Sequence, residues 1–456
     1  MPDTAYKFRK SLLFFSKGAM LLLMGAIMLL FWWFKYPEAT YYGPGNYLVV
    51  FFYIALLLII SSVYGATKIG IFRLGEIIYS FLLSLLICNL LFYVQLSLVA
   101  RGMLFPAWML VGSIAQFGVA VIGSFYINRL YFQLYPAREV AVIYSKKDQA
   151  RYIINKMSLK KERYRVCVVV SEDEPFERIC EVIDGYSSIM LCDIDQTLRL
   201  RLFSYCSLHG KRVYIIPGFQ DVLIRSANST QLFDTPVFYC KNTGPSTEML
   251  MVKRFTDIVG ASLGILISSP FMLLIALAIK LFDGGPILYK QDRLTLDGKV
   301  FRLYKFRSMI VNAEENGIAR LASVGDDRIT PVGRVIRRLR LDELPQFFNV
   351  LGGSMSLVGP RPERPEIAAQ YEREMPEFAL RLRMKAGLTG YAQVNGRYNT
   401  TMRDKLLLDL LYIETYSPVL DFNLLFITLK ILFMPESTEG IEAGTYLPSE
   451  EGYKPK

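Results

Sequence analysis

Two adjacent carboxylates stand in a strongly basic stretch of the sequence, RRLRLDELPQ at residues 337–346. Asp342 and Glu343 follow three arginines, and Pro345 stands two residues after Glu343. A carboxylate can attack phosphorus as a covalent nucleophile, and arginines can neutralise the charge that such a reaction develops. A solvated patch of salt bridges has the same composition, so the surrounding sequence must decide between the two interpretations.

Short segments rich in Gly, Pro and Arg surround this stretch in the C-terminal part of the chain. They are QDR (291–293), YKFRSM (304–309), DDRITPVGR (326–334), LDELPQFFNVLGGSMSLVGPRP (341–362) and GLTGYAQVNGR (387–397). Each alone is compatible with an ordinary strand, loop or turn. Together they hold many cations in tight turns, and arginine pairs phosphate oxygens in bidentate fashion without losing its charge. The pattern predicts a site for a phosphate-rich substrate.

One histidine and six cysteines limit the chemistry available to this 456-residue chain. No CxxC pair occurs, which is typical of a reduced cytosolic protein and not of a disulfide framework or a zinc site. A Ser–His–Asp triad or a His-ligated metal would depend on His209 alone. We interpret His209 as a structural or solvated residue, so carboxylates and cations remain the chemical candidates.

Four long uncharged segments precede the motifs, and each reaches the ~17–25 residues that a helix needs to cross a bilayer. They are Gly18–Phe34, Tyr47–Thr67, Ile77–Ala100 and Gly102–Asn128. The basic residues of the short loops place both ends of this four-span bundle on the cytoplasmic side. The net charge of +11 favours anionic partners, and the apolar segments point to a lipid bilayer and argue against nucleic acid.

A fifth apolar segment, Ile258–Ile279, has Ser268, Ser269 and Pro270 near its middle. Proline removes a backbone donor and predicts a kink at Ser269 and Pro270, where serine hydroxyls can satisfy the freed backbone groups. A spanning helix would put the following domain outside the cell, away from nucleotides. We therefore expect a re-entrant membrane hairpin at residues 256–281, and a kinked fifth span is the alternative.

The middle of the chain alternates short β-branched runs with helix-like stretches. The runs are EVAVIY, YRVCVVV, SSIMLC, KRVYIIP and PVFYC, between residues 138 and 240. This alternation predicts a small parallel sheet of Rossmann type. The segment after the first run, YSKKDQA (144–150), has no glycine, so it lacks the dinucleotide fingerprint. A spacer, an oligomerisation module and a regulatory module all remain open for this domain.

From about Lys253 to Glu436 the chain resembles the bacterial sugar transferase family, the monotopic phosphoglycosyl transferases. Six family motifs occur in order here: QxR, KFR[ST]M, DxR[IV]TxxG, Rx(4)DExPQ, MSxVGPRP and TGxAQVNGR. The four spans and the Rossmann-like region resemble the large, membrane-anchored form of the family. The resemblance implies transfer of a hexose-1-phosphate from a UDP-sugar to undecaprenyl phosphate, with UMP released.

The resemblance also implies roles for individual residues. Asp342 would be the nucleophile that forms a covalent phosphosugar intermediate, and Glu343 would bind metal or manage a proton. Both would be ligands of Mg²⁺, the cofactor that the family uses. Since Pro345 fits only in a first turn, we expect Asp342 where a helix begins. The expected substrate-binding residues are Arg337, Arg361, Lys305, Arg307, Arg293, Arg328, Gln346 and Arg397.

The expected architecture is a membrane α-helical bundle of four spans, a Rossmann-like α/β domain and a mostly α-helical monotopic catalytic domain with the re-entrant hairpin. We place these domains at residues 1–136, 137–250 and 251–456. The expected location is the bacterial inner membrane, with the catalytic domain on its cytoplasmic face. The transfer would be the first membrane step of exopolysaccharide, capsule or O-antigen assembly.

Two other functions remain open at the level of sequence. A non-catalytic membrane scaffold or regulator of polysaccharide assembly would use Asp342 and Glu343 as a structural ion pair. A polytopic, metal-assisted transferase would join the two substrates directly, but its carboxylates would lie on loops between many spans. The sequence also leaves open which sugar is transferred and whether the chain forms a homodimer.

Overall fold

The computed structural model describes residues 3–41, 43–225, 227–240, 244–310, 328–396 and 400–432. These residues fall into two compact units, one within Met1–Ile216 and one within Pro217–Ile441. The first unit carries four long helices and a parallel sheet. The second carries the Gly-, Pro- and Arg-rich motifs of the sequence on short helices, hairpins and turns.

Four long helices coincide with the four uncharged segments of the sequence. They are α1 (Asp3–Lys35), α2 (Gly45–Val63), α3 (Leu74–Val99) and α4 (Ala107–Leu134). Each is long and apolar enough to cross a membrane, and a fifth such helix follows in the second unit. The chain is therefore a multi-pass membrane protein by the length and composition of its helices.

A buried polar network connects the four helices. Tyr53 Oη donates to Asn89 Oδ1 (2.7 Å), Asn89 Nδ2 donates to Gln116 Oε1 (2.8 Å), and Gln116 Nε2 donates to the Met24 carbonyl (2.7 Å). Each helix contributes one of these residues. Polar groups in an apolar interior are costly unless they are paired, so the network favours one relative register of the helices.

A four-stranded parallel sheet follows the helices, as the alternating pattern predicted. Its strands are β1 (Arg138–Tyr144), β2 (Tyr164–Ser171), β3 (Ser188–Cys192) and β4 (Arg212–Ile215), in the order β2-β1-β3-β4. The connecting helices are α5 (Lys147–Ser158), α6 (Phe176–Asp184) and α7 (Gln196–Leu208). The central run Val140–Ile143 is fully buried, as expected for a strand covered by helices on both faces.

The prediction of a fifth strand in this sheet was wrong. The PVFYC segment forms β6 (Thr235–Tyr239), which pairs antiparallel with β5 (Asn228–Leu232) in a separate hairpin. Before it, α8 (Phe219–Arg225) buries Val222 in the core of the second unit. The local β-branched pattern identified a strand correctly, but a short turn at residues 233–234 gave it an antiparallel neighbour.

The fifth apolar segment lies in one long helix, α9 (Thr247–Asp283), which continues through Pro270. Proline has no N–H, so the Leu266 carbonyl loses its usual intrahelical donor, and Ser269 Oγ donates to that carbonyl instead (2.9 Å). This confirms the expected role of a serine hydroxyl beside the proline. The predicted segment 256–281 lies inside this continuous helix, and its re-entrant path stays a prediction.

The rest of the second unit is built from short elements, mostly helical as expected. They are β7 (Leu288–Leu294), β8 (Val300–Phe306), α10 (Pro331–Arg338), α11 (Gln346–Leu351), β9 (Ser356–Val358), α12 (Pro365–Glu374), β10 (Gly387–Thr389), α13 (Tyr391–Asn395), α14 (Met402–Glu414) and α15 (Pro418–Leu432). Two 3-10 segments, Leu341–Glu343 and Pro376–Arg383, complete the framework of the site.

Three glycines allow the loop after β9 to approach the chain around β10. A side chain at Gly387 or Gly390 would overlap the backbone of Gly359, and one at Gly359 would overlap the Lys385 carbonyl. Only glycine permits such close contact between two backbones. The motifs GPRP and GLTG are therefore adjacent in space, although the 24 residues 363–386 separate them in the chain.

Candidate active site

The two carboxylates lie in the 3-10 turn Leu341–Glu343, between α10 and α11. Arg340 adopts a left-handed conformation (φ 54°) and reverses the chain before the turn. The flanking side chains, Leu341 and Leu344, pack into an apolar cluster with Phe306 and the second half of α9. The LDEL sequence thus packs its two partly buried leucines against this cluster and leaves its two acids beside β8.

The turn corrects one expectation about the position of Asp342. Helix α11 begins at Gln346, directly after Pro345, so Asp342 lies in a separate 3-10 turn before that helix. The proline does stand at the start of a helix, as its fixed φ favours. A proline tolerates the first helical turn wherever that turn begins, so it did not determine the conformation of the residues before it.

Glu343 is held by two cations. Its Oε1 accepts hydrogen bonds from Lys305 Nζ (3.0 Å) and Arg361 Nη2 (3.2 Å), and its side chain is 17% exposed. Burial opposes ionisation of Glu343, but the charges of Arg361 and Lys305 outweigh burial and lower its pKa to about 2. Glu343 is therefore an anion at every physiological pH.

Asp342 is in the opposite situation. Within the described part of the chain, its carboxylate forms no ion pair with a lysine or arginine. Burial raises the pKa of Asp342, the charge of Glu343 raises it further, and the charges of Lys305 and Arg337 act against both. Two neighbouring acids thus differ in electrostatics: one is neutralised by cations, and the other keeps its oxygen lone pairs available.

Arg361 approaches the two acids from the loop after β9. Its side chain is 46% exposed, and its Nη2 donates to Glu343. The neighbouring residues Pro360 and Pro362 restrict the backbone on either side of it. The charge of Glu343 raises the pKa of Arg361 further. A half-exposed, permanently charged guanidinium next to an unpaired carboxylate can bind an incoming anion.

The other predicted substrate-binding residues divide into two groups. Arg337 lies in the last turn of α10, where its charge acts on Asp342, and Gln346 is buried at the start of α11. Lys305 contacts Glu343, as described. Arg328 is bonded through its backbone carbonyl to Ile310 N (3.0 Å), and Arg397 lies outside the described residues.

Arg293 and Arg307 are committed to protein partners. Arg293 donates to Gln291 Oε1 (2.6 Å) and to the Pro362 carbonyl (3.0 Å), so it supports the loop of Arg361 from behind. Arg307 is buried and pairs with Asp283 at the end of α9, while its Nη1 has no hydrogen-bond partner among the described residues. Both arginines lie near the site, and these contacts hold the fold around it.

Several residues that position the site were not singled out from the sequence. Asn349 of α11 accepts from Tyr304 N (2.9 Å) and donates to the Arg302 carbonyl (2.8 Å), which fixes the strand that carries Lys305. Arg381 donates to the Arg361 carbonyl (2.8 Å). Asn349 lies in the segment FFNVL, within the motif at residues 341–362. Its apolar neighbours there could have indicated that this polar residue is buried.

The donor set fits a hard cation held jointly with a substrate. Among the described residues, no group of three or more His, Cys, Asp or Glu side chains could hold a metal alone. Mg²⁺ commonly uses one or two carboxylates and completes its coordination with substrate phosphates and water. Asp342 and the second oxygen of Glu343 meet that requirement.

Comparison with known proteins matches this unit to one family. Residues 248–435 match the family described as bacterial sugar transferase. The chain is similar to a UDP-N-acetylgalactosamine-undecaprenyl-phosphate N-acetylgalactosaminephosphotransferase of Aeromonas hydrophila, 39% identical over 51% of this chain and 55% of the relative. It is also similar to a UDP-glucose:undecaprenyl-phosphate glucose-1-phosphate transferase of Escherichia coli (strain K12), 36% identical over 53% of each chain.

The chain thus spans about half the length of these two curated relatives. A third relative, the Caulobacter vibrioides protein named UDP-glucose:undecaprenyl-phosphate glucose-1-phosphate transferase, is shorter. It is 38% identical over 45% of this chain and 83% of its own length. The motifs, the acid pair and this coverage agree, and the chain belongs to the bacterial sugar transferase family.

Proposed function

We propose that the chain transfers a hexose-1-phosphate from a UDP-sugar to undecaprenyl phosphate, with release of UMP. Its relatives are named as transferases between a UDP-sugar and undecaprenyl phosphate, for glucose-1-phosphate in two cases and for N-acetylgalactosamine phosphate in one. The product would begin the membrane stage of exopolysaccharide, capsule or O-antigen assembly. The identity of the sugar is left to experiment, because the relatives differ in it.

The single observation that carries the proposal is the asymmetry of the two acids. Asp342 has no cation partner among the described residues, whereas Glu343 is paired with Lys305 and Arg361. A carboxylate that is not tied up in an ion pair with a lysine or arginine of the protein is the better candidate for attack on the substrate. This supports Asp342 as the attacking group and Glu343 as the residue that positions the two cations.

The proposed reaction has two displacements at one phosphorus atom. An Asp342 oxygen attacks the sugar-proximal phosphorus, the bond to the bridging oxygen breaks, and UMP leaves with the electron pair. An oxygen of undecaprenyl phosphate then attacks the same phosphorus, and the Asp342 carboxylate leaves. The products are undecaprenyl diphosphate sugar and free enzyme.

An anion that approaches a diphosphate meets repulsion, so catalysis depends on neutralisation and positioning. Arg361 and Lys305 are the cations nearest to the acid pair by their contacts, and Arg337 acts on Asp342 through its charge. We propose that these three residues bind the diphosphate oxygens. Arg307 and Arg293 would keep the strand and loop in place rather than contact substrate.

We propose Mg²⁺ as the cofactor, held by Asp342 and Glu343. When bound, it would neutralise phosphate charge that the three cations leave uncompensated. Lys305 and Arg361 both contact Oε1 of Glu343, so its other oxygen, Oε2, is the one that would bind the metal. Chelation with EDTA is expected to abolish UMP release, and added Mg²⁺ should restore it.

The contacts of α9 support a re-entrant path at the cytoplasmic face of the bacterial inner membrane. The first half of the helix lies against Leu357 and Phe347, where Gly260 and Gly264 allow close approach. The second half packs on Phe306 and Ile336 through Met272, Ile275 and Ile279. A helix that crossed the bilayer would bury about 30 Å of its length in hydrocarbon. A single water-soluble domain could not then contact both halves of the helix.

The outer face of α9 supports the same placement. Its large side chains there are more than half exposed: Leu263, Leu266, Ile267, Phe271, Leu273, Leu274, Leu277 and Leu281. On α15, the exposed apolar residues Val419, Phe422 and Leu429 share one helical face by their spacing. Apolar faces of this kind bind the interface of a bilayer, where a polyprenyl phosphate presents its phosphate.

The test is a panel of UDP-sugars scored for UMP release by the purified full-length chain with undecaprenyl phosphate and Mg²⁺. One or more sugars should give UMP, and Asp342→Asn should abolish it. Asp292→Asn, which changes an exposed acid of β7, is the matched control and should retain activity. If no UDP-sugar gives UMP, the transferase proposal is wrong and a scaffold without catalysis becomes the better interpretation.

A further inference from the structure

The loop that carries Arg361 is bonded to the body through four consecutive carbonyls. Gly387 N donates to Pro360 O (2.9 Å), and Leu294 N donates to Glu363 O (3.0 Å). Between them, Arg381 Nη2 donates to Arg361 O (2.8 Å), and Arg293 Nη1 donates to Pro362 O (3.0 Å). Each peptide of residues 360–363 therefore has its orientation fixed from behind.

Arg381 is the central member of this support and is itself held by a buried acid. Its Nη2 also donates to Asp409 Oδ2 (2.8 Å), and its Nη1 lies 3.7 Å from Glu363 Oε1. The side chains of Arg381 and Asp409 are 6% and 3% exposed. Burying two charges costs desolvation that their attraction only partly offsets, so stability alone is a weak reason for such a pair.

The backbone and the side chain of residue 361 face different surroundings. The backbone faces the buried pair, while the guanidinium is 46% exposed and reaches Glu343. With Pro360 and Pro362 limiting φ on both sides, the direction of this side chain depends on the orientation of the 361 peptide. The donor that fixes this peptide's carbonyl is Arg381.

We propose that Arg381, held by Asp409, is a positioning residue for Arg361, which aims the Arg361 guanidinium at the substrate diphosphate beside Asp342. This rests on the proposed transferase function for the identity of the substrate. Neither Arg381 nor Asp409 contacts the reacting atoms. They act only through the peptide of residue 361 and the neighbouring Glu363.

Two variants test the proposal against one matched control. Arg381→Lys keeps a charge beside Asp409 but loses the planar fork, in which Nη2 bonds both Asp409 and the Arg361 carbonyl while Nη1 lies toward Glu363. Asp409→Asn removes the acid that orients Arg381. Glu414→Gln is the control, because Arg383 and Glu414 form a second ion pair (3.5 Å) between the same segments, Pro376–Arg383 and α14.

The kinetic readout is kcat/KM for UMP release from the accepted UDP-sugar. Arg381→Lys and Asp409→Asn should each lower it about 10- to 100-fold, as displaced supports of functional groups do. In an Arg361→Ala background the same two changes should cause little further loss, because the residue that they position is gone. If their effects multiply with that of Arg361→Ala, the positioning role is wrong.

A second readout does not depend on turnover. Phenylglyoxal modifies arginine through its uncharged form, which the ion pair with Glu343 disfavours. The rate at Arg361, followed by peptide mass spectrometry and divided by the rate at exposed Arg338, should rise several-fold in Arg381→Lys and Asp409→Asn. It should stay unchanged in Glu414→Gln.

This second readout also separates two kinds of failure. A wild-type chain that releases no UMP from any UDP-sugar contradicts the proposed function but leaves the Arg361 modification rates to decide the positioning role. An active wild type whose relative Arg361 rate is the same in all variants contradicts the positioning role and leaves the transferase intact.

Discussion

Two networks of cations and carboxylates in the second unit have similar composition and different organisation. The site network consists of Lys305, Glu343 and Arg361, with Asp342 beside it. The internal network consists of Lys253 of α9, Tyr412 of α14 and Asp421 of α15. Both place a lysine on an acid, so their difference shows what distinguishes a reactive site from a structural one.

In the internal network every donor of the lysine is used. Lys253 Nζ donates to Asp421 Oδ2 (2.6 Å), to the Val358 carbonyl (2.8 Å) and to Tyr412 Oη (3.1 Å). Tyr412 Oη donates to the other oxygen of Asp421 (2.7 Å). Burial raises the pKa of both Asp421 and Tyr412. The network is closed to any ligand and joins three helices to β9.

In the site network, by contrast, one of the two acids is left without a cation partner in the described part of the chain. Among the described residues Asp342 has no cation partner, and Arg361 is 46% exposed. An acid without a cation partner is a poor stabiliser of a fold, but it is ready for a ligand. The comparison therefore predicts that loss of Asp342 mainly affects activity, whereas loss of Asp421 mainly affects stability.

The largest expected effect is that of Asp342→Asn on activity. It should lower kcat/KM by at least about 1000-fold, as removal of a covalent nucleophile does. The melting temperature should stay equal to wild type or rise slightly. Burial and Glu343 raise the pKa of Asp342, so its ionised form destabilises the fold at neutral pH. A clear fall in melting temperature would instead indicate a structural acid.

The next effect concerns the internal network. Asp421→Asn leaves Lys253 buried without its counter-ion, which should lower the free energy of unfolding by about 3–5 kcal/mol. Thermal unfolding in detergent measures it, and the protein that remains folded should keep near-normal kcat. Asp297→Asn is the control, because the exposed pair of Asp297 and Lys299 is 4.0 Å apart and worth little.

Glu343→Gln should change stability in the direction opposite to Asp342→Asn. The pKa of Glu343 is lowered to about 2, so its ionised form stabilises the fold above the unfolded pKa of about 4.3 and that stability is lost as the pH falls toward 2. At pH 7 the variant should lose up to about 3 kcal/mol. Equal melting temperatures for the two single variants would contradict this contrast.

The same variant should also move the pH profile of catalysis. In wild type, kcat/KM should fall as the pH drops through the raised pKa of Asp342, because the protonated acid cannot attack. In Glu343→Gln this acid limb should lie at lower pH, since the neighbouring negative charge is absent. Initial rates of UMP release between about pH 4 and 8 measure the shift.

The smallest expected effect tests the membrane helix. Ser269→Ala removes the hydroxyl that donates to the Leu266 carbonyl beside Pro270. The loss should be about 1 kcal/mol in stability, since one backbone acceptor in an apolar segment loses its donor. Pro270→Ala in the same background should recover it, because alanine supplies the missing backbone N–H. No recovery in the double variant, measured by thermal unfolding, would mean that the hydroxyl has another role.

Local sequence patterns predicted the elements of this fold well. The four apolar helices and four parallel strands follow from composition and periodicity, which act over a few residues. The hairpin β5–β6 departed from prediction because strand pairing is decided by turns and partners rather than by the strand itself. The same holds for Asp342, whose 3-10 turn depends on the left-handed Arg340 before it.

The sequence predicted which residues lie together in the candidate site better than it predicted how they pair. The motifs placed Asp342, Glu343, Lys305 and Arg361 in one site, and in the structure Lys305 and Arg361 both contact Glu343, next to Asp342. No local sequence pattern indicates that Arg307 pairs with Asp283, or that Arg381 pairs with Asp409 across 28 residues. Lys253 and Asp421 are 168 residues apart. Pairings of this kind are fixed by tertiary packing, so one sequence alone does not reveal them.

Mass spectrometry of the protein after brief incubation with its UDP-sugar and Mg²⁺, without lipid acceptor, tests directly whether Asp342 is the nucleophile. We expect a phosphosugar on the peptide that contains residues 341–346, assigned to Asp342 by fragmentation. The adduct should disappear when undecaprenyl phosphate is added and should be absent in Asp342→Asn. An adduct on Glu343 would contradict the account, as would full turnover by Asp342→Asn.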